Sequence, residues 1–391
     1  LRHLWSNIFQ ITSFIPYAKF WTMEASPRCR PLTGQELHMS ALFTEVQVGR
    51  YTFANRIVMA PMTRSRADDA GVPEEMVATY YGQRATAGLI ISEGVFPSAV
   101  GKGYVRTPGI ETEAQIASWK RVTSAVHERG GRIFMQIMHT GRVSHPLLLP
   151  EGAQPVAPSA IKASGQTWTQ EGQKDFVVPH ELTTAEVQQV VESYRLATRR
   201  AIEAGFDGVE LHGASGYLPE QFLSSTTNHR TDEYGGTLAD RARFVIEVLQ
   251  AMSEEAGADR VGLKISPEMN FNDVSDANPV ETYTYLVDQL KPLKLAYLHV
   301  ALFGSETDYH ALLRPRFDGA YLLGSGLDKA SAESALAEGR ADATVFGSSF
   351  IANPDLPERL RSGAPLNTPD KSTFYSGGAE GLVDYPTLET A

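Results

Sequence analysis

Beyond position 39 the chain repeats one pattern: a short continuous apolar run, a polar or glycine-containing loop, then apolar residues at helical spacing. The runs are Ile57 to Met59, Leu89 to Ser92, Ile133 to Ile137, Gly208 to Leu211, Val261 to Ile265, Ala296 to Val300, Ala320 to Leu323 and Ala343 to Phe346. Between them lie helical stretches, among them Glu74 to Ala87, Glu113 to Arg129, Ala185 to Ala204, Leu238 to Ala256, Val280 to Leu290 and Lys329 to Glu338. Continuous β-branched runs suit parallel strands buried on both faces, and their alternation with helices predicts an α/β fold. Eight such units predict a (β/α)8 TIM barrel, a fold of about 250 residues before insertions. The alternative, a doubly wound sheet, lacks the Gly-x-Gly-x-x-Gly that a dinucleotide-binding half carries after its first strand. Ahead of these units, Leu42, Val46, Val48, Tyr51 and Phe53 predict an N-terminal β-hairpin turning at Gly49 and Arg50. Two connections are too long for plain loops, Gly141 to Leu182 after the third strand and Leu302 to Asp318 after the sixth; excursions of this kind cover a site. Asn353 to Pro386 is turn-rich and predicts a tail folded back on the barrel.

Composition sharpens the boundaries. Of 391 residues, 42% are hydrophobic and 21% charged, ordinary globular proportions that exclude a coiled-coil or disordered chain. The formal charge of -11 offers no basic surface for a phosphate backbone, so nucleic acid is not an expected partner. The single cysteine, Cys29, forbids an internal disulfide framework and points to a reducing, cytoplasmic setting. The first part of the chain departs from the rest, with Arg2, Lys19, Arg28 and Arg30 against only Glu24 and Glu36. Its apolar stretch Ile8 to Trp21 is interrupted by Gln10, Pro16 and Lys19 and falls short of the roughly 20 residues of a membrane span. Met39 directly precedes the hairpin pattern. The expectation is therefore that Met39 is the natural start, with an accessory segment at 1–38 that is non-native or disordered and a single barrel at 39–391; the alternative for 1–38 is a native extension or targeting tail.

Chemistry is expected just beyond each strand, because barrel active sites gather at the carboxyl ends. Those positions are polar or small: Pro61 to Thr63, Glu93 and Gly94, Gln136 and His139, then His212, Ser215 and Tyr217. Lys264 and Ser266 end the fifth strand, His299 lies in the sixth, and Gly324 to Gly326 and Gly347 to Ser349 follow the last two. Small residues at these last positions let backbone N–H groups approach a phosphate. His212 and Ser215 could donate to one carbonyl oxygen while Tyr217 delivers a proton, although a histidine at a strand end is as often structural. Gln136 and Lys264 suit a heterocycle bearing N–H and C=O groups; alternatively Lys264 pairs with Glu210 or Glu93. His139, His145, His180 and His299 are scattered without a ligand motif, so no metal is expected and structural roles are preferred. No Gly-x-Ser-x-Gly elbow or Walker loop is present.

Several strings closely resemble the old yellow enzyme family of flavin-dependent ene reductases, in order from about Leu42 to Pro386. They are Asn55 to Arg64 (NRIVMAPMTR), Tyr80 to Ala85 (YYGQRA), Ala204 to Gly213 (AGFDGVELHG), Asn228 to Gly236 (NHRTDEYGG), Asn353 to Pro357 (NPDLP) and Thr373 to Tyr375 (TFY). The resemblance implies FMN at the mouth of the barrel, NADPH as reductant, and hydride transfer to an alkene conjugated to a carbonyl or nitro group. It implies that Pro61, Thr63, Gly94, Gln136 and Lys264 hold the flavin ring, and that Ser325, Gly326, Gly347 and Ser348 meet its phosphate. It also implies that His212 and Ser215 hold the substrate carbonyl, that Tyr217 protonates the α-carbon, and that Tyr104, Phe271 and Tyr375 line the pocket. Four departures fall in this set. Ser215 stands where the family carries Asn or His, and Lys264 where it carries Arg. Ser325 replaces the first glycine after strand seven, and Ser348 an arginine after strand eight. Losing a bidentate arginine to phosphate costs about 1.5 to 3 kcal/mol. A second function therefore accompanies the first: a non-redox isomerase or cyclase using His212, Ser215 and Tyr217 as acid-base groups, with flavin lost or structural.

Overall fold

A computed structural model describes residues 40–389. The expectation for residues 1–38 lies outside the described residues. Eight parallel strands close into a barrel: β1 (Ile57–Met59), β2 (Leu89–Val95), β3 (Ile133–Ile137), β4 (Gly208–His212), β5 (Val261–Ile265), β6 (Tyr297–Ala301), β7 (Ala320–Gly324) and β8 (Ala343–Phe346), with β8 pairing back onto β1. Helices follow each in turn: α1 (Glu75–Gln83), α2 (Glu113–His127), α3 (Thr184–Glu203), α4 (Leu238–Ala256), α5 (Pro279–Leu290), α6 (Tyr309–Leu313), α7 (Lys329–Ala337) and α8 (Leu356–Ser362). The strands are almost wholly buried, as continuous apolar runs covered by helices outside and side chains inside must be. Helix α3 shows how sequence sets the outer ring. Thr183 and Glu186 form a capping box at its start, and Val187, Val190, Tyr194, Ala197 and Ala201 recur at helical spacing as its buried stripe.

The hairpin pairs Val46–Val48 with Tyr51–Phe53. Its Val46, Val48 and Phe53 pack with Phe134, Tyr297 and Leu322 from the strands and stopper one end of the barrel. Gly49 turns at φ +56° and a Cβ there would overlap the Asp259 carbonyl, so the position calls for glycine, and Arg50 next to it forks onto the Asp259 carboxylate at 2.6 and 2.8 Å.

Both long excursions carry structure that their composition did not foretell. Gly141 to Leu182 contains an antiparallel pair, Gln166–Thr169 with Gly172–Asp175, and a short parallel pair, Val156–Ala157 with His180–Glu181. Leu302 to Asp318 contains α6. Helix α1 stops at Gln83, four residues short of the predicted end. Arg84 leaves the helix at φ -102° and enters the core fully buried. There its guanidinium donates to the carbonyls of Tyr80, Phe350 and Ile351 and lies 3.9 Å over the Tyr80 ring.

Buried arginines also hold the carboxyl-terminal stretch. Arg64 donates to the carbonyls of Phe374 and Gly381, Arg66 to those of Phe374, Gly378 and Glu380, and Arg106 to that of Tyr375. The tail is thus folded back on the barrel, as predicted. Replacing Arg84 by leucine would leave three carbonyls without their donor, so Arg84→Leu is expected to lower unfolding free energy by about 3 kcal/mol, read from its urea midpoint.

Candidate active site

Strand register brings the polar residues into one layer inside the barrel. Glu210 on β4 is aligned with Gln136 on β3, and Lys264 on β5 with both His212 on β4 and His299 on β6. Glu210 is fully buried; its two oxygens take the Gln136 amide nitrogen at 2.7 Å and His299 Nδ1 at 3.0 Å. Below this layer the rings of Phe134 and Tyr297 pack 5.9 Å apart. Burial lowers the Lys264 pKa, and the Glu210 charge opposes that shift. No carboxylate among the described residues comes within 4 Å of its ammonium, so neither Glu210 nor Glu93 forms the ion pair considered above. Glu93 instead accepts the backbone N–H of Arg64, and burial pushes its carboxyl up to about 7.

His212 ends β4 almost completely buried, with Nδ1 meeting no partner. Burial first, then the charges of Lys264 and His299, hold its pKa well below the usual imidazole value. The ring meets Tyr217 edge to face, with centroids 5.0 Å apart. Between them the chain turns through two left-handed residues, Ser215 at φ +59° and Gly216 at φ +73°. The Ser215 hydroxyl lies 3.8 Å from the Met269 sulfur, a weak acceptor that leaves it free to turn. Tyr217 precedes a short helix, Leu218–Leu223. Its phenol oxygen lies 3.0 Å from that of Tyr104, and burial pushes its pKa up to about 12. Phe176 and Ala163, from the excursion after β3, pack in one apolar cluster with Tyr217 and Tyr104. Phe271 and Tyr375 are half-buried, each on a loop adjoining this turn or the tail.

The remaining candidates ring the same mouth. Gly94 sits at a register irregularity between β2 and β3, where a Cβ would press within 2.5 Å of the Met138 sulfur. Pro61 and Thr63 are half-buried beyond β1, and Gly347 approaches Met62 and Ala60 there. Ser325 and Gly326 follow β7 with φ of +106° and +64°, and the Ser325 hydroxyl is buried without a partner. Ser348 opens a short helix, Ser348–Ala352, and is exposed.

The other histidines have structural partners. His145 caps a short turn, His180 meets Glu186, and His139 accepts the Gly141 N–H. Sequence reasoning missed Glu220, three residues after Tyr217, and the arginines of the tail. A charged residue inside a helix or loop carries no pattern that distinguishes buried from solvated.

The sequence model of the NADH:flavin oxidoreductase / NADH oxidase family matches residues 41–367. The chain is 42% identical to 12-oxophytodienoate reductase 1 of Oryza sativa subsp. japonica, over 89% of this chain and 93% of that protein. It is also 42% identical to a probable flavin mononucleotide-dependent alkene reductase of Leishmania infantum, over 87% of this chain and 96% of that one. Among solved structures, morphinone reductase in complex with tetrahydroNAD superposes with a TM-score of 0.87 at 47% identity, covering 89% of this chain and 98% of that chain. By family match, identity and coverage, this chain belongs to the NADH:flavin oxidoreductase / NADH oxidase family, the old yellow enzymes that its sequence resembles.

Proposed function

We propose that the protein is an FMN-dependent ene reductase, adding a hydride and a proton, two electrons and two protons in all, across the C=C bond of an α,β-unsaturated carbonyl compound. The observation that carries this reading is the meeting of His212 and Tyr217 at one end of β4, with Lys264 level with His212 on β5 and the Gln136–Glu210 pair two residues further back along the strands.

The residues present fit the flavin. Gln136 spends its N–H on Glu210, which leaves its carbonyl oxygen to accept from a ring N–H. Lys264, without a carboxylate at ion-pair distance, would stand against electron-rich ring oxygens, with Pro61, Thr63 and Gly94 completing the cradle. At the phosphate end the orphaned Ser325 hydroxyl, Ser348 and the backbone about Gly326 and Gly347 would take the place of a guanidinium. When bound, FMN supplies the hydride, taken from a nicotinamide. NADPH is the proposed donor. The relative solved with tetrahydroNAD supports a nicotinamide donor and leaves the choice between NADPH and NADH to measurement.

The chain's own groups do the rest. A buried, neutral His212 donates one hydrogen bond to the substrate carbonyl without giving up a proton, and Ser215 turns from Met269 to add a second. Tyr217 transfers its phenolic proton to the α-carbon. The Tyr104 hydroxyl beside it stabilises the oxygen that has lost the proton. Tyr104, Phe271 and Tyr375 enclose the alkene.

Three outcomes follow. Reconstituted with FMN, the protein is expected to be yellow, to bleach with NADPH and to recolour with 2-cyclohexenone; turnover without electron consumption would instead identify the isomerase or cyclase. In Tyr217→Phe, flavin reduction persists while reoxidation by the enone slows by about 10² to 10⁴-fold, measured by stopped flow. Because burial holds the His212 pKa well below the ordinary imidazole value, its ring stays neutral as pH falls through about 6.5, where a free imidazole titrates, visible as an unchanged ¹⁵N imidazole signal in NMR.

A further inference from the structure

Glu220 lies in the short helix Leu218–Leu223 with only 4% of its surface exposed. One oxygen accepts the Gly216 N–H at 2.6 Å and the other the Tyr283 hydroxyl of α5 at 2.6 Å. The turn it grips is the left-handed Ser215–Gly216 pair between His212 and Tyr217. A non-glycine residue in that conformation costs about 1 kcal/mol and persists only where its surroundings fix it. Other groups hold the same two residues: Ser266 takes the Ser215 N–H, Asn272 donates to the Ser215 carbonyl, and Gln221 donates to the Gly216 carbonyl. A Cβ on Gly216 would overlap the carbonyl of Phe271, so the turn sits flush against the loop after β5. For the Gly216 N–H the partner is Glu220.

The carboxyl also borders a cavity of about 510 Å³, lined by Tyr283, Met269 and the loops after β5 and β6. Three more carboxylates, Glu268, Asp276 and Glu306, line it, and its lining includes no lysine, arginine or histidine. A buried carboxylate without a cation is expensive, and an apolar residue would fill the position at lower cost.

We propose that Glu220 is a positioning residue for proton delivery: seated on Tyr283, it fixes the Ser215–Gly216 turn and thereby sets Tyr217 against His212 and Tyr104. The role in proton delivery rests on the ene-reductase reading; the brace itself does not. Burial pushes the Glu220 carboxyl up to about 7, and the cavity gives solvent protons a route to it. The groups facing it are Tyr283, the three cavity carboxylates, Tyr309 beyond Glu268, Arg241 beside Asp276, and Tyr217 three residues before. Burial raises the pKa of Tyr283 well above 10, so that phenol remains a donor. Protonation of Glu220 weakens one of its two acceptor oxygens and loosens the turn.

The test compares FMN-loaded wild type, E220Q and Y283F. E220Q keeps the volume but sets an N–H against one of two donors, and Y283F removes the seat with less risk to folding. Flavin content and reduction by NADPH should stay within about twofold of wild type, while reoxidation by 2-cyclohexenone slows about tenfold or more. Wild-type reoxidation should decline as pH falls through about 7, and E220Q should lack that decline. Amide hydrogen exchange in the peptide spanning 213–222 should be faster in both variants. Unchanged exchange, or an E220Q that keeps the wild-type reoxidation rate and pH profile, overturns the proposal. If wild type reduces no alkene, the reductase reading falls separately, and the exchange measurement alone decides whether Glu220 braces the turn.

Discussion

A carboxylate with no access to solvent stands at the centre of the barrel, and the geometry of the mouth follows from satisfying it. Glu210 needs donors on both oxygens; Gln136 supplies one from the neighbouring strand β3 and His299 the other from β6, beyond β5. Each donor is thereby pinned in one rotamer, and the amide of Gln136 is oriented. The same charge offsets part of the cost of burying Lys264 next to it. Removing the carboxylate would free the side chains around it and leave the ammonium unsupported.

Above that layer order is maintained differently. The Ala214 to Tyr217 segment lies beyond the end of β4 and passes through two left-handed residues. Its shape is held by side chains reaching in from four places: Ser266, Asn272, Gln221 and Glu220. Strain confined to a loop and restrained on all sides allows an acid to be presented at an angle that regular backbone does not offer.

Much of this was legible in the sequence because barrel geometry turns strand ends into neighbours. Locating the apolar runs was enough to set Gln136, His212 and Lys264 on adjacent strand ends, and the NRIVMAPMTR and AGFDGVELHG strings then implied the chemistry. The excursion after β3 was opaque for a physical reason: Gln166–Thr169 and Gly172–Asp175 pair at the surface with few apolar positions, so periodicity has little to register. The end of α1 was misjudged because its apolar stripe continues past Gln83, and only the fold shows that Arg84 is drawn inward. Glu220 and the tail arginines were invisible because burial of a charge depends on partners far away in the chain.

Those arginines have a consequence of a different kind. Arg64, Arg66 and Arg106 hold the stretch from Phe374 to Gly381 almost entirely through main-chain oxygens, with Ser376 the one side chain among the acceptors. An anchor that grips carbonyls is blind to the side chains of the segment it holds. Evolution can therefore exchange Tyr375, and so reshape one wall of the proposed substrate pocket, while the backbone beneath it stays in place. Specificity and stability become separately adjustable within a single stretch of a few residues.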